Sequence, residues 1–69
     1  MKTFVRYLRQ EKGISQKDFA KQIGVTRQTI SALENGRYNP SLLLAYKITK
    51  LLGCESIEEV FIFGPEDLE

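Results

Sequence analysis

Histidine and tryptophan are absent from these 69 residues, and cysteine occurs once, at Cys54. A lone thiol excludes an internal disulfide, and without a histidine or a second cysteine beside it there is no zinc site of the usual kind. No nucleophile motif, phosphate-cradling loop or pair of core carboxylates is visible, so nothing is assembled for acid–base or covalent chemistry, and an enzyme is not expected. Cys54 follows a glycine at a turn and reads as a half-buried filler. Long apolar runs are missing too. Those around Leu42 to Ala45 and Val60 to Phe63 are far too short to cross a bilayer, and no signal-peptide pattern opens the chain. The expectation is a cytoplasmic protein with no membrane partner, metal or cofactor.

What is present is the balance of an ordinary globular domain, 42% hydrophobic and 28% charged. A chain of this length has room for one domain, 1–69, and buries only about 60% of the surface its unfolded form exposes. Self-association would add to that modest stability. The net charge of +1 conceals a division at Asn39. Up to that point eight Lys and Arg face three Asp and Glu, giving +5; beyond it two cations face six carboxylates, giving −4. A basic half turned towards a polyanion, with an acidic half turned away, is the arrangement nucleic-acid binding would favour.

Hydrophobic spacing and capping residues divide the chain into helices. The first is expected from Phe4 to Lys12, capped by Thr3, with Val5 and Leu8 inward and Gly13 stopping it. Ser15 caps a second helix, Gln16 to Ile23, with Asp18 as the shorter version of a capping-box acid. Gly24 then stands where a left-handed turn residue is needed, and Thr26 caps a third helix from Arg27 to about Asn35. Leu42, Ala45, Ile48, Leu51 and Leu52 mark a fourth helix ending at Gly53, and Ser56 with Glu59 starts one last turn. The tail from Val60 to Phe63 reads as extended chain, broken by Gly64-Pro65.

The stretch SQKDFAKQIGVTRQTISALENGR, Ser15 to Arg37, meets several constraints at once. Two short helices crossing steeply need a small residue where they touch, here Ala20, and a turn residue that tolerates positive φ, here Gly24. They also need apolar residues only where they face each other, and Phe19, Ile23, Val25, Ile30 and Leu33 hold those positions. This is the pattern of a helix-turn-helix over 16–35. The stretches SQKDFA, GVTRQTIS, ENGRYNPS and SIEEVF, within Val5 to Phe63, closely resemble the phage repressor and Cro family of transcriptional regulators, often called the Xre family, and in particular its short single-domain bacterial members. The resemblance implies an all-α, compact five-helix DNA-binding domain whose third helix lies in the major groove, acting as a dimer on a palindromic operator. Short members similar to this chain also pair an N-terminal with a C-terminal strand, which would join Met1 to Thr3 with Phe61 to Phe63 in a small ribbon.

With Ile30 and Leu33 facing the core, a turn of about 100° per residue puts Gln28, Ala32 and Asn35 on the opposite side of the third helix, flanked by Arg27, Thr29 and Ser31. Glutamine can bond both N6 and N7 of adenine, arginine O6 and N7 of guanine, and a small side chain can meet a thymine methyl. Gln28 is thus the first candidate for reading bases, Arg27 the second, where the family pattern also places its equivalent; Ser31 and Ala32 either join them or are silent surface. Phosphate contacts position without specifying. The resemblance assigns Gln16 to one phosphate and Thr26, Asn35, Arg37 and Tyr38 to the other flank of the groove, and Thr29 is grouped with them; the plain reading of Arg37 and Tyr38 is a solvated loop. Lys17 and Lys21 read as solubilising charge. By the same resemblance Arg9 and Glu34 form a partly buried ion pair between the first and third helices, an architectural role.

Self-association points to Leu43 and Tyr46 on the fourth helix and to Phe61, Ile62 and Phe63 in the segment 57–69, with one of the two tail phenylalanines expected to seal its own domain instead. A different reading keeps the same fold but makes it a protein-binding module, an antitoxin or adaptor that docks a partner through its acidic half. The two are not exclusive.

Overall fold

A computed structural model describes residues 1–68. Its elements run β1 (Lys2–Thr3), α1 (Val5–Glu11), α2 (Gln16–Ile23), α3 (Arg27–Glu34), α4 (Leu42–Leu51) and β2 (Phe61–Ile62), with 3-10 turns at Ile57–Glu59 and Pro65–Leu68. The fifth helix expected from the sequence is therefore a single 3-10 turn, too short to be a layer of the fold.

The helix starts follow from side-chain oxygens that satisfy backbone N–H groups lacking a partner inside the helix. The hydroxyls of Ser15, Thr26 and Ser41 accept from the amides of Asp18, Thr29 and Leu44 at 3.0, 3.2 and 3.1 Å. α1 differs. It begins at Val5, a residue later than expected, with Phe4 at the cap position and no side-chain cap. Thr3 is instead drawn into β1, and its hydroxyl reaches the Val5 amide only at 3.4 Å. At the other junction Gly24 adopts φ +93°, and the amides of Gly24 and Val25 both donate to the Ala20 carbonyl, at 2.8 and 3.0 Å. That left-handed residue reverses the chain so that α3 crosses α2 directly.

Val5, Phe19, Ile30, Leu33, Ile48, Val60 and Phe61 are the fully enclosed apolar side chains, with Ala20, Ile23, Ala45 and Leu52 beside them. The ribbon is antiparallel, Lys2 opposite Ile62 and Thr3 opposite Phe61, and the Phe4 amide continues it to the Val60 carbonyl at 2.8 Å. Alternation along β2 sends Phe61 inward and Ile62 outward. Phe61 is 1% exposed, so its placement at a dimer interface is corrected. The last turn and β2 close the core that the helices leave open, and the phenylalanine is consumed in doing so. Phe63 remains 55% exposed.

Candidate nucleic-acid interface

α3 is held by one face. Ile30 and Leu33 are enclosed, and the surface that remains carries Arg27, Gln28 and Asn35, all exposed, with Thr29, Ser31 and Ala32 half-buried at its margins. The two threonines at its start are tied together, the Thr26 and Thr29 hydroxyls lying 3.0 Å apart. Arg37 and Tyr38 are exposed just beyond the helix, where the Arg37 amide donates to the Ala32 carbonyl at 2.8 Å. The structure thus gathers the expected base-reading and flanking residues along one helix and the loop that leaves it.

Behind α3 stands a polar cluster that fixes its orientation. The Glu34 side chain is entirely enclosed and accepts from Arg9 Nε at 2.7 Å and Nη2 at 3.3 Å, a two-pronged contact from α1. Arg9 is itself buried, and its Nη1 donates to the Ile14 carbonyl at 2.8 Å. Gln16, at the start of α2, donates from Nε2 to Glu34 Oε1 at 3.0 Å, while its Oε1 accepts from Arg27 Nε at 3.4 Å. Three helices meet at one carboxylate. Burial by itself pushes the Glu34 carboxyl up, but hydrogen bonds from Arg9 and Gln16, the Arg9 charge and a further bond from Arg6 outweigh it and hold the group below its ordinary range. No enclosed polar side-chain atom among the described residues lacks a partner.

Sequence reasoning missed Arg6. It is one helical turn before Arg9 on α1, and its Nε approaches Glu34 Oε1 at 3.5 Å while Nη2 donates to Asn35 Oδ1 at 3.0 Å. The signal was the i, i+3 spacing of two arginines, which puts both on the same side of α1. Lys17, read as solubilising charge, is exposed. With Arg9, Ser15, Gln16 and Arg27 it lines an open recess of about 500 Å³ at the start of α2.

The charge division is less clean in space than along the chain. The Met1 carbonyl lies 3.0 Å from where a Cβ on Gly36 would stand, while the Met1 ammonium holds Asp67 at 3.0 Å. A single residue therefore bridges the end of α3 and the acidic C-terminal turn. The acidic half does not simply face away.

Leu43 and Tyr46 on α4, with Ile62 and Phe63 after the last turn, are exposed. Leu42 is exposed beside them, and Phe63 helps line an apolar groove of about 280 Å³ together with Met1, Pro40, Ala45, Ile57 and Phe61. No group of three or more His, Cys, Asp or Glu among the described residues is placed to hold a metal ion, and no helix is long and apolar enough to cross a membrane.

Known proteins place this geometry in context. A family model described as helix-turn-helix matches residues 5–60. The chain is 55% identical over 66 residues to an uncharacterized HTH-type transcriptional regulator of Methanothermobacter thermautotrophicus, covering 96% of each. It is 49% identical over 67 residues to one of Bacillus subtilis, covering 97% of this chain and all of that one. The likeness is therefore not confined to bacterial regulators. A solved structure of a hypothetical transcription factor from Neisseria superposes with a TM-score of 0.72 at 31% identity, over 93% of this chain and 71% of the other. With an exposed polar α3 buttressed by α1 and α2, and with these relatives, the chain belongs to the helix-turn-helix family of DNA-binding transcriptional regulators of the Cro/C1 type.

Proposed function

We propose that the protein is a sequence-specific repressor that binds a palindromic operator as a homodimer, each subunit laying α3 in the major groove. The observation that carries this reading is the polar side of α3, with Gln28 and Arg27 exposed at its first turn while Ile30 and Leu33 anchor the opposite side. Gln28 and Arg27 read base edges, with Ser31 and Ala32 at the margin of the same contact. Gln16, Thr26, Thr29, Asn35, Arg37 and Tyr38 grip phosphates on either side. The recess at the start of α2 supports the Gln16 assignment, because the exposed Lys17 and Arg27 flank it with positive charge next to helix-terminal amides.

The second copy covers Leu43, Tyr46, Ile62 and Phe63. All four are large and exposed on so small a domain, Leu43 and Tyr46 on α4 and Ile62 and Phe63 at the end of β2, and Phe63 shares an apolar groove with Leu42 and Ala45 of α4. Reading two half-sites one turn of DNA apart requires that pairing to hold the two α3 helices about 34 Å from each other.

Binding to duplex DNA measured across a salt series tests the reading. Counterion release follows the cations that neutralise phosphates, so three such Lys or Arg contacts per subunit, at about 0.9 released counterions each, give a log–log slope of about −5 for the dimer. Gln28→Ala should cost about 1–3 kcal/mol and relax preference at one base pair in each half-site. Equal weakening on all sequences would remove Gln28 from base readout. A protein adaptor docking through the acidic half would show no such slope on DNA.

A further inference from the structure

We infer that Arg6 is a phosphate-binding residue of the DNA interface, gripping the backbone beside the C-terminal end of α3. The inference rests on the docking of α3 against duplex DNA. Its basis is the charge count in the cluster behind that helix. Glu34 supplies one negative charge, and Arg9 matches it at 2.7 and 3.3 Å from a buried position. Arg6 brings a second positive charge to the same carboxylate but reaches it only at 3.5 Å, with its own side chain 52% exposed. The surplus charge of the cluster therefore resides on Arg6, on the solvent side.

Position gives that charge a use. Arg6 Nη2 donates to Asn35 Oδ1 at 3.0 Å, and Asn35 Nδ2 in turn donates to the Ser31 carbonyl at 2.9 Å. The guanidinium is thus fixed against the residue that ends α3, on the flank where Asn35 and Arg37 leave the helix. A guanidinium has five N–H donors, of which these two contacts engage two. The remainder form the planar fork that suits a phosphate. The same contact orients Asn35. Its amide oxygen is turned to α1 and one amide hydrogen to the helix backbone, which leaves one hydrogen for a neighbouring phosphate oxygen.

A purely local role would have Arg6 act only on the negative end of the α3 dipole and on Glu34. The two roles separate experimentally. Full-length wild type, Arg6→Met and Arg6→Lys are titrated onto a selected duplex and onto an unrelated duplex of equal length across a potassium chloride series, with thermal melts of each protein alongside. Phosphate binding predicts that Arg6→Met lowers the steepness of the log–log slope by about 0.9 per subunit on both duplexes. The ratio of affinities for the two duplexes stays constant, and Arg6→Lys keeps the wild-type slope. An unchanged slope in a folded Arg6→Met would overturn the inference. Phenylglyoxal modification of the wild type gives a readout that no variant's folding affects: DNA should protect Arg6 several-fold, and equal reaction with and without DNA would overturn the inference too. Wild type that binds neither duplex would instead fail the DNA-binding reading itself, and the inference with it.

Discussion

Glu34 shows how a single side chain couples folding to the site. Its carboxylate receives Arg9, Gln16 and Arg6, and of these Arg9 is the buried cation whose removal strands the Glu34 charge in an enclosed site. Arg9→Ala should lose about 3–5 kcal/mol of stability, as breaking one side of a buried pair typically does, and DNA binding would fall as a consequence of unfolding. A melt at the wild-type temperature would contradict this. Because folding lowers the carboxyl's affinity for protons, the stabilisation from Glu34 is complete above the ordinary carboxylate range and disappears as pH falls through the lowered folded value. Glu34→Gln should accordingly be less stable than wild type at neutral pH, with the gap narrowing in acid; denaturant titrations at pH 7 and near pH 3 measure it. Glu59 and Asp67 are also lowered, Glu59 by the backbone amides of Ser56 and Glu55 and Asp67 by that of Gly64 and by the Met1 ammonium, so some acid lability persists in the variant.

The elements place these residues, and they differ in how openly the sequence declares them. α2, α3 and the turn between them were legible because each boundary carries its own local chemistry: a hydroxyl cap, a glycine at φ +93°, apolar residues at helical spacing. Gly24→Ala would force a Cβ into the left-handed region at a cost of about 1–2 kcal/mol, although nothing lies within 4 Å to clash with it. Equilibrium unfolding should show that loss, and an unchanged midpoint would mean the turn relaxes to another geometry. The start of α1 was misjudged because Thr3 had two competing uses, as cap and as strand, and the pairing with Phe61 won. The fate of Phe61 was hidden for a related reason. Whether a tail residue faces inward depends on the register of a ribbon whose other strand lies at the far end of the chain. Arg6 escaped because a charged residue on an amphipathic helix declares its face and not its partner.

At the scale of the whole molecule, a basic N-terminal half that carries the helix-turn-helix, and exposed apolar side chains on α4 and at the end of β2, suit the proposed assembly, two copies on one duplex. Replacing Phe63 with aspartate should leave the fold intact, because that side chain is 55% exposed, while shifting the protein towards monomer and weakening operator binding by roughly tenfold or more as the second subunit's contacts are lost. Sedimentation of the variant and the wild type at micromolar concentration, with and without operator, measures this; identical behaviour would move the interface elsewhere. The central claim is that paired α3 helices read duplex DNA, and selection of bound sequences from random duplexes by the wild-type protein tests it most directly. The account predicts two inverted half-sites with centres about 10–10.5 base pairs apart, or a multiple of that spacing. Recovery of no preferred sequence, or of a single unpaired half-site, would contradict it.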